Sequence, residues 1–308
     1  MGEGTILVTG AAGLVGRPLV ERLLAEGQSV VATDMRPLEG LDCPVVIADL
    51  NDVHRLYTAM MTHSIQAIVH CGGVSGSVVS VDNPDLIMRT NIGGTAHIFE
   101  LARVFEVRRI VLCSSASVYG PQPTDPITEE VPLHPASVYG ASKIAAEAIL
   151  EAYAVQWRVD GVALRIFQVY GPGRSTDCQI RTMLMAAIMG RDVHLPHPAT
   201  ARRQYVHVDD VVEALVAALG GRDLPHRIYN ISGNGSLTLR EVAEVVARVV
   251  PGANIYFDAT PTGQENQRGM VDISAAARDL GYTPKVSLEE GISTYAKWLR
   301  RAGARGPA

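Results

Sequence analysis

Apolar and polar positions alternate in blocks along the first half of the chain. Short runs rich in Val and Ile are apolar on both faces, and they occupy residues 5–10, 29–34, 44–49, 67–72, 108–114 and 162–167. Amphipathic stretches such as residues 16–27 and 90–105 separate them. Runs of the first kind are typical of strands in a parallel sheet, and the stretches between them are typical of crossover helices. The pattern predicts an α/β fold with a doubly wound, Rossmann-type parallel sheet.

The pattern changes after residue 170. The Gly/Pro-rich stretch YGPGRSTDC follows the sixth run, and mixed helical and short extended segments continue to the end. We predict a dinucleotide-binding domain over 1–170 and a smaller, mainly substrate-binding domain over 171–308, with 205–230 packing back on the sheet. Ligands of open α/β sheets bind beyond the carboxyl ends of the strands, so the second domain is expected to lie over that crevice.

Composition excludes several classes of function. The chain has 308 residues, 47% of them hydrophobic, and a formal net charge of −5. Its basic residues are scattered, so we expect no nucleic-acid partner. No apolar run reaches the roughly 18 residues that span a bilayer, and no secretory pattern precedes the first run, so we expect a cytoplasmic protein without a membrane partner.

The four cysteines, Cys43, Cys71, Cys113 and Cys178, are spaced neither as a disulfide framework nor as a zinc site. We therefore expect no metal, and we expect Cys71 and Cys113 to be buried thiols in a reducing compartment.

A glycine-rich turn joins the first run to the first amphipathic stretch. In TGAAGLVG, Gly10, Gly13 and Gly16 bracket Leu14 and Val15. Glycines at this spacing let backbone amides approach a pyrophosphate, and the following helix adds the positive end of its dipole. All five residues are predicted to bind a dinucleotide.

Acidic residues end the next two runs. Asp34 lies 18 residues beyond Gly16, where a carboxylate accepts hydrogen bonds from the adenosine ribose and repels a 2′-phosphate. Arg36 is close enough to serve a phosphate, but the carboxylate favours NAD over NADP as the cofactor. Asp49 and Leu50 are expected at the adenine edge, although Asp49 equally fits a solvated turn.

The fourth and fifth runs end in small and polar residues. The fourth run ends in the small residues Cys71, Gly72 and Gly73. Small residues here either let the dinucleotide pass close to the backbone or simply form a turn. Ser115 and Ser117 follow the fifth run and are expected to face the crevice.

A tyrosine and a lysine stand four residues apart in VYGASKIAAEAIL. Tyr139 and Lys143 therefore share one face of the predicted helix. A phenol, with a pKa of about 10, is a poor base near neutrality, but a nearby ammonium and an oxidised nicotinamide both favour its phenolate. The pair is thus predicted to transfer a proton.

TGAAGLVG, Asp34, SSASVYG and YGASK together resemble the extended short-chain dehydrogenase/reductases. Within them the chain resembles the NAD-dependent nucleotide-sugar epimerase/dehydratase family, whose best-known activity is UDP-glucose 4-epimerase. The resemblance implies that Ser115, Tyr139 and Lys143 form the catalytic set and that Asn91 supports it and the cofactor.

The same resemblance implies that Phe167 and Val169 contribute to the cofactor site. Family members are commonly homodimers through the helices around 90–105 and 139–157, so a homodimer is expected here. Sugar 4,6-dehydratases carry an Asp-Glu pair where this chain has Ala116 and Ser117. That departure disfavours dehydratase and decarboxylase activity.

The predicted substrate contacts are Ser75, Ser115, Ser117, Gln168, Arg174, Arg203 and Arg268. Most of them follow from the resemblance, whereas Arg174, or alternatively Arg181, is predicted to bind the carboxylate of a smaller substrate. Guanidinium groups suit the oxygens of a diphosphate. Two departures from the family weaken the prediction of a nucleotide-sugar substrate: Gln168 stands where the family usually has Asn, and Ser75 stands where UDP-galactose 4-epimerases often have Lys. The sequence thus predicts a nucleotide-sugar epimerase, with an NAD-dependent dehydrogenase of a sugar acid, polyol or hydroxy acid as the alternative.

Overall fold

The computed structural model describes residues 4–75, 82–121, 124–258 and 269–303. Seven strands form one sheet, and they are β1 (Thr5–Thr9), β2 (Val30–Asp34), β3 (Val45–Ile47), β4 (Ile65–His70), β5 (Arg109–Ser115), β6 (Gly161–Ile166) and β11 (Ile228–Ile231). Their order is β11-β6-β5-β4-β1-β2-β3, and every pairing is parallel. The predicted fold class is confirmed.

Six further strands form two-stranded pairs outside this sheet. They are β7 (Gln168–Tyr170), β8 (Val193–Leu195), β9 (Arg202–Arg203), β10 (Tyr205–His207), β12 (Leu237–Thr238) and β13 (Ile255–Phe257). Strand β10 pairs with β7, β12 with β9 and β13 with β8.

Helices separate the strands. The α-helices are α1 (Gly16–Ala25), α2 (Val53–His63), α3 (Pro84–Ile87), α4 (Gly94–Val104), α5 (Val138–Trp157), α6 (Gln179–Met189), α7 (Val208–Gly220), α8 (Leu239–Val249), α9 (Ser274–Leu280) and α10 (Leu288–Gly303). A π-helical turn, Met88–Gly93, joins α3 to α4, and a 3₁₀ turn, Ala116–Val118, follows β5.

The sheet is covered on both faces. Helices α1 and α7 bury residues such as Leu19 and Leu215 against one face. Helices α2, α4 and α5 bury residues such as Leu56, Phe99 and Leu150 against the other. This double cover explains why the strands are apolar throughout.

A separate apolar cluster lies in the later part of the chain. Helices α6, α8 and α10 pack together through residues such as Met183, Val246 and Tyr295. Helix α7, by contrast, contributes its buried side to the sheet. The proposed boundary near residue 170 stays a prediction.

A buried polar network crosses the carboxyl ends of β5, β6 and β11. Ser114 donates to Glu147, which forms an ion pair with Arg165 at 2.8 Å. Arg165 also donates to the Tyr119 hydroxyl at 2.9 Å, and that hydroxyl donates to Asn230 Oδ1 at 2.7 Å. Since all members have partners, the network is positioned to fix the three strand ends relative to α5.

Replacing Arg165 by Leu is predicted to destabilise the fold by about 3–5 kcal/mol, because it leaves the Glu147 carboxylate buried without its partner. The free energy of unfolding in urea measures this. Arg17→Leu is the matched control, since its ion pair with Glu21 is exposed and such pairs contribute about 0–1 kcal/mol. Equal losses in the two variants would contradict the importance of the buried pair.

Candidate active site

The glycine turn at the end of β1 packs against the end of β4. Gly10 has a φ of +65°, and a Cβ on it would lie 2.7 Å from the Gly72 Cα. The Gly13 amide donates to the Gly10 carbonyl at 2.9 Å, and α1 begins at Gly16. Val15, the N-cap residue of α1, offers no side-chain bond to the helix amides. The glycine turn leaves no room for a Cβ, and the helix that follows has no side-chain cap on its N-terminal amides. Both features suit the binding of a pyrophosphate.

The carboxylate of Asp34 reaches the glycine turn. It accepts hydrogen bonds from the Ala12 amide at 2.9 Å and the Arg36 amide at 3.1 Å. The Arg36 guanidinium donates to the Ala12 carbonyl at 2.9 Å and lies 3.6 Å from the carboxylate. Arg36 thus has partners within the turn. The Asp34 carboxylate lies where the sequence analysis predicts the adenosine ribose to bind.

The residues that end β3 and β4 line the same edge of the sheet. Asp49 Oδ1 accepts from the amide of Asn51 at 2.8 Å and from its side chain at 3.0 Å, so this carboxylate organises its own turn. Leu50 is buried, and its Cδ1 would lie 3.0 Å from a Cβ on Gly72.

Thr9 supports the backbone at this edge, and sequence reasoning had not identified it. Its hydroxyl accepts from the Gly72 amide at 3.1 Å and lies 2.6 Å from His70 Nδ1. The other ring nitrogen of His70 lies 3.2 Å from the Thr95 hydroxyl. Burial, with a smaller contribution from the Lys143 charge, lowers the pKa of His70 to about 3. The ring is therefore a neutral bridge between two threonines.

Tyr139 and Lys143 lie at the start of α5, directly against the end of β5. Lys143 is 8% exposed, and its ammonium donates to the Cys113 carbonyl at 2.9 Å. The same nitrogen lies 5.8 Å from the centre of the Tyr139 ring. Gly140 allows this approach, because a Cβ there would lie 2.5 Å from the Ser117 carbonyl oxygen.

The side chains of Ser115 and Ser117 meet at this contact. The Ser115 hydroxyl donates to the Ser117 hydroxyl at 3.2 Å and also accepts from the Ser117 amide. Ser115 is half-buried at the carboxyl end of β5, next to the turn on which Gly140 packs. Ser115 and Ser117 therefore lie in the turn on which the start of α5 packs through Gly140.

Asn91 connects this cluster to the end of β4. It lies in the π-helical turn, a distortion common at functional sites, and it is 2% exposed. Its side chain exchanges hydrogen bonds with the Val74 backbone at 2.8 and 3.0 Å and donates to the Ser142 hydroxyl at 3.0 Å. A Cβ on Gly73 would lie 2.9 Å from Asn91 Oδ1 and 3.8 Å from Lys143 Nζ.

The segment after β6 passes over the glycine turn. A Cβ on Gly173 would lie 3.6 Å from Leu14 Cδ1. Phe167 is 6% exposed and packs beside Tyr119, so its ring belongs to the core. Val169 packs against the sheet core.

Three of the predicted substrate residues, Gln168, Arg174 and Arg203, form hydrogen bonds with neighbouring residues. Gln168 donates to Gln179 at 2.8 Å, and Arg174 donates to the Val169 carbonyl at 2.6 Å. Arg203, on β9, donates to the Arg202 carbonyl at 2.9 Å. Ser75 is exposed beyond Val74. Arg268 lies outside the described residues.

Fold and site together define a dinucleotide-dependent enzyme of the Rossmann type. The sequence matches the profile of the NAD dependent epimerase/dehydratase family over residues 6–232. It is 32% identical over 308 residues to UDP-glucose 4-epimerase from Mycolicibacterium smegmatis, with 96% of this chain and 98% of that protein aligned. The chain therefore belongs to the NAD dependent epimerase/dehydratase family.

Solved structures agree. UDP-glucose 4-epimerase from Thermotoga maritima, with UDP-glucose, is 26% identical and superposes with a TM-score of 0.89, covering 97% of this chain and 99% of that one. MoeE5 is 31% identical over 97% of this chain, with TM-scores of 0.86 in its complex with UDP-glucose and NAD and 0.88 with UDP-glucuronic acid and NAD. The superpositions on these two complexes cover 99% and 100% of the MoeE5 chain, respectively.

The predicted family, enzyme class and cofactor are thus confirmed, and the roles of individual residues stay predictions. In the part of the chain that the structure describes, every helix is too short or too polar to traverse a membrane.

Replacing Asp34 by Ala is predicted to weaken NAD binding by about tenfold or more, since hydrogen bonds to a charged group contribute about 1.5–3 kcal/mol. Titration of the variant with NAD and NADP measures both dissociation constants, and the preference for NAD should fall because the repulsion of a 2′-phosphate is lost. Asp34→Asn is the control, because it keeps an oxygen for the Ala12 amide without the charge. Equal affinity of the unmodified protein for NAD and NADP would contradict this role.

Proposed function

We propose that the protein is an NAD-dependent 4-epimerase of a UDP-sugar, with Ser115, Tyr139 and Lys143 as its catalytic residues. The observation that carries the proposal is the position of Lys143, which donates to the Cys113 carbonyl at the end of β5 and lies 5.8 Å from the centre of the Tyr139 ring. The similarity to the UDP-glucose 4-epimerase of M. smegmatis over nearly the whole chain supports the choice of substrate.

Each side chain has a task that its position supports. The Tyr139 phenolate takes the proton from a hydroxyl of the sugar and later returns it, while the Ser115 hydroxyl holds the oxygen that becomes a ketone. Lys143 is anchored on the Cys113 carbonyl and places its positive charge 5.8 Å from the centre of the Tyr139 ring. NAD, when bound, supplies a reversible hydride acceptor for the carbon that carries this hydroxyl.

The residues that follow the catalytic serine favour epimerisation. Ala116 and Ser117 lie in the turn after Ser115, and neither offers a carboxylate that would eliminate water from the ketone. An epimerisation needs no such carboxylate, because its net reaction neither eliminates water nor oxidises the sugar. Arg203 and Arg268 are proposed to bind the diphosphate.

The test is an incubation of the NAD-loaded protein with UDP-glucose and, separately, UDP-glucuronic acid, followed by nuclear magnetic resonance of the sugar. We expect the 4-epimer to form without accumulation of NADH. Tyr139→Phe should lower kcat by about 10²–10⁴-fold, because it removes the acid–base group. Tyr153→Phe is the matched control, since that hydroxyl is on the same helix but bonds to Glu100.

Stoichiometric NADH with an oxidised sugar would instead support the dehydrogenase alternative. Full activity of Tyr139→Phe would contradict the assigned acid–base role.

We also propose a homodimer formed through α4 and α5, in a reducing cytoplasm that suits four free thiols. The outer face of α5 carries a stripe of small and apolar residues at helical spacing, namely Ala141, Ala145, Ala148, Ala152 and Val155. Val155 is 75% exposed in the single chain. Small residues let two helices approach closely, and an exposed apolar face at this place favours a second copy.

Ala148→Glu is predicted to give a monomer, because it places a charge in the middle of this stripe. Light scattering coupled to size exclusion measures the mass of each variant. Ala247→Glu introduces the same charge at an exposed position of α8 and should leave the dimer intact. A monomeric unmodified protein would rule out the dimer.

A further inference from the structure

Two thiols meet at the ends of β4 and β5. Cys71 directly follows β4, and Cys113 lies in β5 one position beyond Leu112, which pairs with His70. Their sulfurs are 3.5 Å apart and share a thiol–thiol hydrogen bond. Cys113 is 9% exposed, whereas Cys71 is half-buried. The proposed proton transfer uses neither sulfur.

The surroundings make one of the two thiols more acidic than the other. The hydrogen bond that Cys113 shares with Cys71, helped by the positive charge of Lys143, lowers the pKa of Cys113 against the opposing effect of burial. The same hydrogen bond, together with burial, raises the pKa of Cys71. One sulfur is thus the better nucleophile and the other retains the proton, which is the arrangement of an attacking and a resolving thiol.

We propose that Cys71 and Cys113 form a hydroperoxide-sensitive modification site that closes reversibly to a disulfide beside the cofactor crevice. In the first step the Cys113 thiolate attacks an oxygen of hydrogen peroxide, the O–O bond breaks, and a sulfenic acid and hydroxide form. In the second step the Cys71 sulfur attacks the sulfenic sulfur, and water leaves as the S–S bond forms. Overall, two thiols lose two electrons and two protons, and the peroxide becomes two molecules of water.

Closing the bond brings the sulfurs from 3.5 Å to about 2.05 Å, the length of a disulfide. Both strand ends carry parts of the site. Cys71 leads into Gly72, whose backbone packs on Gly10 and donates to Thr9. The carbonyl of Cys113 accepts the hydrogen bond from Lys143. Oxidation is therefore expected to shift the glycine turn and the lysine anchor together, and so to weaken NAD binding and activity.

The experiment uses a Cys43→Ser/Cys178→Ser protein, in which only the paired thiols remain. Serine is a good N-cap residue, so it preserves the cap that Cys178 makes on α6. After treatment with hydrogen peroxide, we expect both thiols to disappear, the chain mass to fall by two hydrogens, and a Cys71–Cys113 linked peptide to appear on digestion. Activity and NAD affinity should fall in parallel, and dithiothreitol should restore them.

Cys113→Ser in the same background is the control, with its activity expressed relative to its own value before treatment. It should form no intramolecular bond and should lose no activity that dithiothreitol restores. Thiols that stay titratable, stepwise addition of oxygen without the linked peptide, or a linked peptide without loss of activity would each overturn the proposal. Because thiol content and mass are read without substrate, the result does not depend on which sugar the enzyme uses.

Discussion

The hydrogen bond from Lys143 to the Cys113 carbonyl is the contact on which the candidate site depends, since it joins α5, which carries the proposed catalytic residues, to the sheet. An ammonium that is nearly buried must have partners, and a strand-end carbonyl provides one in a fixed position. Gly140 makes the contact possible by letting α5 rest on the Ser117 backbone. Once the lysine is anchored, the Tyr139 ring is held beside the end of β5 by the helix itself.

The buried network of Glu147 and Arg165 joins α5 to the sheet in the same way, one helical turn after Lys143. Lys143 contacts the carbonyl of Cys113, and Glu147 accepts from Ser114 and pairs with Arg165 on the neighbouring strand. Two successive turns of one helix are therefore tied by polar contacts to successive residues of β5. Such contacts contribute little net stability, but a shift of helix against strand would leave buried charges without their partners, which disfavours other registers.

Much of this architecture could be predicted from the sequence because it rests on local signals. Six strand segments, the glycine turn and the Tyr139–Lys143 spacing each lie within a few residues of chain. Strand β11 was not identified, because IYNI is four residues long and is recognised as a strand only by its pairing with β6. Asp49 was expected at the adenine edge, and the alternative of a turn matches its bonds to Asn51.

Other features were beyond prediction because they depend on contacts across the fold. The π-helical turn around Asn91 has no distinct sequence pattern, and it aims the side chain at the Val74 backbone 17 residues away. The meeting of Cys71 and Cys113 follows from the register of β4 on β5, which no spacing along the chain reveals. In this fold the carboxyl ends of β1, β4 and β5 lie side by side, so small shifts in their register act on the glycine turn, the thiols and the lysine anchor at once. A site built this way gains precision from close packing. For the same reason, a bond that draws two of those strand ends together, such as the proposed disulfide between Cys71 and Cys113, would disturb the whole site.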